Sequence, residues 1–395
     1  MISFDEAVEL IRSVARPVGT ESVPLERAAW RVLAGPVVAR IDSPRADVSA
    51  MDGYAARSED VANAPVRLRV VGESFAGARW MGRVEASTCA RIFTGAAMPK
   101  CADRVVIQEN VRREGDLAII DEPPGAEGHI RTRGSDFKAG DVLLSKGRLL
   151  DPRAVLAAAA ADVATVRVHA RPRVHILSTG DELAEPGSAA ERADAIPDSV
   201  SLGVASLVEE WGGEYVGRAR LRDDLSTMQS AAAAALDGAD VVVVTGGASV
   251  GEKDFAKAMF EPLGLELVFS TVSMKPGKPA WLGCAGGKLV IGLPGNPTSA
   301  MVTARLLLAP LLCGMTGRPV DEALAWRNLP IASELLACGG RETFHRARSF
   351  GGEAEILSFQ DSSAQKALAD ADLLVRQRAN APASEAGADI EALDF

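Results

Sequence analysis

Apolar positions along this chain follow changing rhythms, and each change marks a boundary. At the start, Phe4, Val8 and Ile11 recur at helical spacing, behind Ser3 as an N-cap and Glu6 at the third helical position. Residues 25–38 continue similarly and predict more helix. From about 45 to 137, short β-like runs at 66–71, 105–107 and 117–120 alternate with Gly and Pro turns, predicting a small β-rich module. Residues 152–163 are Ala-rich and helical again, with Pro152 at the helix start. The helical ends on either side of the β module are expected to pack together, which makes that module an insertion.

From 171 to 318 the pattern becomes buried strand, glycine turn and helix. The runs at 174–177 (with His175 inside it), 241–244 and 289–291 are apolar stretches, as expected of parallel strands covered on both faces. Helical stretches at 199–211, 227–236, 255–260 and 298–312 lie between and after them, predicting a three-layer α/β domain. Short strands return at 344–348, 354–359 and 372–376, consistent with a small β-barrel or sandwich.

Composition narrows the function. The 395 residues suggest about two to four domains. With 47 % hydrophobic and 24 % charged residues the chain is ordinarily globular, which excludes disorder as its main state. The net charge of −10 argues against a nonspecific nucleic-acid binder, so an anionic ligand must be captured locally by amides and a few cations. Cys89, Cys101, Cys284, Cys313 and Cys338 are scattered, which predicts reduced thiols and a cytoplasmic location. Asp5 and Glu6 stand where a signal peptide needs positive charge. Arg305 and Pro310 interrupt the longest apolar stretch, so no membrane span is expected.

The strongest local signal runs from the 241–244 strand into Thr245-Gly246-Gly247-Ala248-Ser249-Val250-Gly251-Glu252-Lys253-Asp254. A glycine turn between strand and helix lets backbone amides approach an anion, with the helix dipole adding positive charge. Glu252 separates Gly251 from Lys253, so this is not a P-loop. The Gly-x-Ser-x-Gly it contains reads poorly as a hydrolase elbow, because the one downstream histidine, His345, sits in the β-rich tail. Gly292-Leu293-Pro294-Gly295-Asn296-Pro297 predicts a second anion cradle, with Asn296 as a helix cap and Pro297 in the first turn. Ser178-Thr179-Gly180-Asp181-Glu182 places two carboxylates after the first strand, suited to Mg2+ or to acid/base work. Lys275-Pro276-Gly277-Lys278-Pro279 supplies cations on a stiff loop. All these turns fall at strand carboxyl ends, where open α/β sheets bind ligands. The four histidines show no ligand spacing. By spacing alone, Ser49-Ala50-Met51-Asp52-Gly53-Tyr54, Arg91-Ile92-Phe93-Thr94-Gly95 and Arg131-Thr132-Arg133-Gly134-Ser135-Asp136 are ordinary turns.

Together these blocks, in this order, resemble the molybdopterin molybdenumtransferase family, the MoeA and gephyrin E-domain type. The resemblance implies a helical dimerisation domain (1–44 and 138–170) and an inserted β-rich module (45–137). It further implies a molybdopterin-binding α/β domain (171–318) and a C-terminal β-barrel (319–395). It also implies a homodimer in which one subunit's β module faces the other's α/β domain, with other molybdenum cofactor biosynthesis proteins as further partners. The implied reaction uses adenylylated molybdopterin, molybdate and Mg2+. Asp52, Glu182 and Asp254 would position Mg2+ and the attacking species, with Thr94 and Asp136 also catalytic. Gly246, Gly247, Ser249, Lys275, Lys278, Pro294, Pro297, Arg131 and Asp223 would bind substrate, with Asp224 an alternative to Asp223. Thr271, Val200 and Asp361 depart from the family pattern near the implied anion site. The rival readings are a molybdopterin adenylyltransferase, which needs the α/β domain alone, and a diverged non-catalytic dimeric scaffold.

Overall fold

The structure, a computed structural model, describes residues 1–246 and 255–395. Within 171–318 the strands, labelled β1–β6 in this domain, are β1 (Arg173–Thr179), β2 (Glu214–Leu221), β3 (Val241–Thr245), β4 (Glu266–Phe269), β5 (Trp281–Ala285) and β6 (Lys288–Leu293). They form one sheet in the order β2-β1-β3-β6-β5-β4. The first four run parallel, and β5 and β4 add an antiparallel edge. The three apolar runs legible in the sequence are its centre, because both of their faces are covered. On one face lie Val174, Ile176, Val241, Val243 and Ile291; on the other, Leu177, Val242, Val244 and Val290.

Helices complete the three layers. Helix α1 (Phe4–Val14) carries the expected capping box between Ser3 and Glu6. Helices α2 (Pro152–Ala160), α3 (Ser199–Glu210) and α4 (Leu225–Gly238) follow. Helix α5 spans Pro297–Met315 and widens to a π-turn at Ala304–Leu308. Helices α1, α3 and α5 bury Phe4, Val8, Ile11, Val204, Val208, Leu307 and Leu311 on one face of the sheet. Helix α4 covers the other with Met228, Ala232 and Leu236. Helix α5 is long and apolar enough to cross a membrane, yet 94 % of its apolar window is buried inside the protein.

The N-terminal segments differ from their expected helical content. Residues 25–38 hold one short 3-10 turn, Leu25–Arg27, and no α-helix; the strand Thr20–Pro24 before them pairs with Thr165–His169, and Val37–Val38 pairs with Val142–Leu144. The Gly35-Pro36 step interrupts helical hydrogen bonding, so Leu33 and Val37 reach their core from outside any α-helix. That core also holds Leu150, Ala154, Ala158 and Val168, with α2 and the Leu25–Arg27 turn packed on it. Helix α1 leaves it and packs on the α/β domain.

Residues between these segments form a six-stranded sheet including Gly53–Ala56, Val66–Ser74, Thr88–Ile92 and Arg104–Ile107. After α5, a curled sheet is built from Arg327–Pro330, Glu342–Phe350, Glu353–Ile356, Leu373–Gln377 and Asp389–Asp394. Its ends meet, for Ile331 bridges Ala354 and the Ala332 N–H donates to the Ala354 carbonyl at 3.0 Å. This sheet is tied to α1 by Phe4 against Phe344, with ring centroids 4.9 Å apart, and by the buried Arg376, which pairs with Asp5 and Glu342.

Gly53 pairs with both Ile92 and Ile107, and a Cβ there would sit 2.1 Å from the Val106 carbonyl oxygen. No side chain can yield to relieve a backbone clash of that size. Gly53→Ala is expected to cost about 3 kcal/mol. A lower midpoint in urea denaturation is the check; a wild-type midpoint contradicts this packing.

Candidate active cleft at the carboxyl ends of the strands

The parallel strands end level with one another: Ser178 pairs with Thr245, and Thr245 with Leu293. The loops after β1, β3 and β6 therefore leave the sheet at one edge, where a cleft of about 690 Å3 opens. Thr179, Glu182, Thr245, Gly246, Pro294 and Pro297 line it, together with Pro279 from the Lys-Pro loop. Gly246 has φ +85°, and a Cβ would lie 2.6 Å from the Thr179 carbonyl oxygen, so both conformation and space demand glycine.

A buried hydrogen-bond chain forms the floor. The Thr179 hydroxyl donates to the Thr245 carbonyl at 3.3 Å, and the Thr245 hydroxyl to Ser178 Oγ at 3.2 Å. Ser178 donates to Asp198 at 3.3 Å. Asp198, only 2 % exposed, also accepts from the Ser201 hydroxyl at 2.8 Å and caps α3 through the Ser201 N–H at 3.3 Å. Arg218 approaches it at 3.5 Å. Asp198 lines the cleft beside Val200. The sequence departure at Val200 lies two residues on, and the one local clue to this carboxylate is a cap residue ahead of an apolar helix.

The start of α5 is completed by the C-terminal domain. Asn296 occupies the cap position but makes no side-chain cap bond; its Nδ2 donates to Ser362 Oγ at 3.2 Å. The Thr298 N–H, one of the free donors of the first turn, goes to the Ser362 carbonyl at 3.1 Å. Ser363 and Gln365 then line the cleft. No sequence pattern pointed to either.

The structure distributes the sequence-derived candidates over several places. Glu182, Gly246, Pro294 and Pro297 share the cleft. Lys275 and Lys278 are exposed on the loop that leads to Pro279, and Lys275 pairs with Thr343 of the C-terminal sheet. Asp181 turns away from Glu182 into a separate hollow of about 310 Å3 with Arg192, Arg220 and Arg222. The Asp223 N–H donates to Asp181 there at 3.4 Å, while Asp224 caps α4 through Thr227 at 2.8 Å. Gly247, Ser249 and Asp254 lie outside the described residues. Asp52, Thr94, Arg131 and Asp136 belong to the β module, and none lines the cleft of its own chain.

Asp52 is nonetheless organised. Its Oδ1 accepts from the Thr94 N–H at 2.7 Å and from the Thr94 hydroxyl at 2.8 Å. These two bonds hold the carboxyl below the usual carboxylate range, so it is ionised at neutral pH. Arg131 pairs with Val48, and the Asp136 N–H donates to the Ser43 carbonyl at 3.0 Å. Among the described residues no three His, Cys, Asp or Glu side chains come together to hold a metal. A Mg2+ set of Asp52, Glu182 and Asp254 is thus not gathered within the described part of one chain.

Two outcomes follow from this geometry. Thr94→Val removes the hydroxyl bond to Asp52, so the Asp52 carboxyl should titrate at higher pH in a 13C NMR titration; an unshifted midpoint contradicts the assignment. Asp198→Ala strips the cap from α3 and leaves Ser178 without its acceptor, which should cost about 2 kcal/mol in urea unfolding.

Residues 2–161 match the family described as MoeA N-terminal region (domain I and II), and residues 175–313 match a probable molybdopterin binding domain. A molybdopterin molybdenumtransferase of Haemophilus influenzae is 35 % identical over 401 residues, covering 98 % of this chain and 97 % of that protein. One from Synechococcus elongatus is 34 % identical, covering 94 % of each. A molybdopterin biosynthesis MoeA protein of Pyrococcus horikoshii superposes with a TM-score of 0.86 at 27 % identity, over the whole of both chains. On these matches, which run through the N-terminal segments and the α/β domain alike, the chain belongs to the molybdopterin molybdenumtransferase family.

Proposed function

We propose that this chain inserts molybdenum from molybdate into adenylylated molybdopterin with release of AMP, in the cytoplasm and as a homodimer. The observation that carries the reading is the convergence of Glu182, Gly246 and the Pro294–Pro297 turn on one cleft at the strand carboxyl ends. A role in molybdenum cofactor biosynthesis follows from the family.

The chemistry brings two anions together, a phosphoanhydride and an oxyanion, so the protein must offset their repulsion. Gly246, whose left-handed φ of +85° suits glycine, brings its backbone to the cleft lining, where it can face a phosphate. Lys275 and Lys278, exposed on the loop behind Pro279, supply positive charge from that side. Glu182 presents a carboxylate within the cleft to orient the attacking species. In this reading Asp52 reaches the cleft of the second subunit, where Thr94 keeps it ionised. Mg2+ belongs to the proposal through Asp52, Glu182 and Asp254, and would supply further charge compensation.

The adenylyltransferase reading needs the α/β domain alone. The full-length match to molybdenumtransferases favours metal insertion. A dimer that bound no pterin would instead favour the scaffold.

The test is AMP release from adenylylated molybdopterin with Mg2+, with and without molybdate. Molybdate-dependent release is expected, and Glu182→Gln should lower turnover on the order of 100-fold while leaving the fold intact. No release from folded wild-type protein, or full turnover in Glu182→Gln, contradicts the reading.

A further inference from the structure

The C-terminal strand Glu342–Phe350 carries an arginine, Arg346, that is 2 % exposed. Buried guanidinium groups ordinarily meet a carboxylate. Arg376 on the neighbouring strand does so, with Glu342 and Asp5. Arg346 differs: among the described residues its guanidinium is bonded to neutral oxygens alone. Nη1 donates to the Thr298 hydroxyl at 3.3 Å and to the Ala364 carbonyl at 3.5 Å, and Nη2 donates to the Asp361 carbonyl at 3.1 Å. The Asp361 carboxylate turns to Ser363 instead, accepting from its N–H at 2.8 Å and its hydroxyl at 2.5 Å.

The backbone of Arg346 holds the same segment from a second side. Its N–H donates to Gln360 Oε1 at 3.0 Å, and its carbonyl accepts from Gln360 Nε2 at 2.8 Å. Residues 360–365 are thereby fastened to one position of the C-terminal sheet, and Ser362 is bonded to the start of α5. Two side chains of that segment, Ser363 and Gln365, line the cleft. A rigid fork of donors spans acceptors on both Thr298 and Asp361 where a point charge cannot, which explains an arginine here in place of a lysine.

We propose that Arg346 is a positioning residue: it clamps the 361–365 segment against the first turn of α5 and so shapes the C-terminal domain's wall of the substrate cleft. This inference rests on the function proposed above. With the clamp broken, the wall must be ordered again each time substrate binds, and affinity falls while the reacting groups elsewhere keep their places.

Full-length Arg346→Met and Arg346→Lys are compared with wild type by hydrogen–deuterium exchange and by steady-state AMP release. Amide exchange in 358–366 should rise at least about tenfold in both, with β1, β3 and β6 unchanged. The KM for adenylylated molybdopterin should rise about tenfold, with kcat held within about threefold. Should Arg346→Met not fold, Arg346→Lys, which keeps the charge and loses the fork, carries the comparison. Faster exchange with an unchanged KM makes Arg346 merely structural and overturns the proposal, as does unchanged exchange in 358–366. Wild-type protein that releases no AMP fails at an earlier step and sinks the functional reading, and this inference with it.

Discussion

The cleft depends on three neighbouring parallel strands ending at one level, and hydrophobic pattern alone cannot enforce that. Strand β3 reads Val-Val-Val-Val, so sliding it by one residue would exchange valines between two covered faces at almost no cost in burial. What pins it is the polar end. Thr245 donates to Ser178 and accepts from Thr179, and Gly246 fits against the Thr179 carbonyl only because it lacks a Cβ. A slip would leave these buried hydroxyls unpaired and put a threonine where only glycine has room. The groups that make the site are therefore the same groups that fix the register of the sheet beneath it.

From that edge, order is passed outward through polar contacts more than through apolar ones. Asp198 connects the floor of the cleft to the first turn of α3, and Ser362 connects the first turn of α5 to the C-terminal sheet. The far side of that sheet is tied to α1 by Arg376, Asp5 and Glu342. A buried pair such as Arg376–Glu342 is weak ground for net stability, but removing one partner alone would leave the other charge buried and uncompensated. The two ends of the chain are joined through Arg376 and Asp5, so the C-terminal wall of the cleft is referenced to the same helix that packs on the α/β core.

Much of this was legible in the sequence, for identifiable reasons. The runs at 174–177, 241–244 and 289–291 announced themselves because they are buried on both faces. Strand β2 did not: it is the half-buried edge, and Glu214, Arg218 and Arg220 interrupt its apolar pattern. Residues 25–38 looked helical because apolar spacing there does not distinguish an α-helix from a 3-10 turn followed by extended backbone. In the site, Glu182, Gly246, Pro294 and Pro297 were readable because glycine and proline turns follow recognisable strands. Asp198 was hidden because its partner Ser178 lies 20 residues away, on a different element. Ser363 and Gln365 matter through the fold of a separate domain, for which no local pattern exists. The adjacent carboxylates Asp181 and Glu182 look like a pair in sequence and face different hollows in space.

Asp52 poses the converse problem, a residue with much local order and nothing nearby to act on. Two hydrogen bonds from Thr94 fix its carboxylate on the half-exposed turn before Gly53–Ala56, although neither bond is buried in the module's core. Ordering an exposed side chain has an entropic cost and brings little stability by itself. Such an arrangement makes physical sense where a carboxylate must be held ready, ionised and aimed, for something supplied from outside its own module. The cleft is the opposite case: it has a carboxylate, glycine backbone and a polar floor, with its lysines at the periphery and no group of metal ligands among the described residues. In the proposed homodimer one subunit's β module faces the other's α/β domain, and the Asp52 carboxylate would there join the one that Glu182 presents.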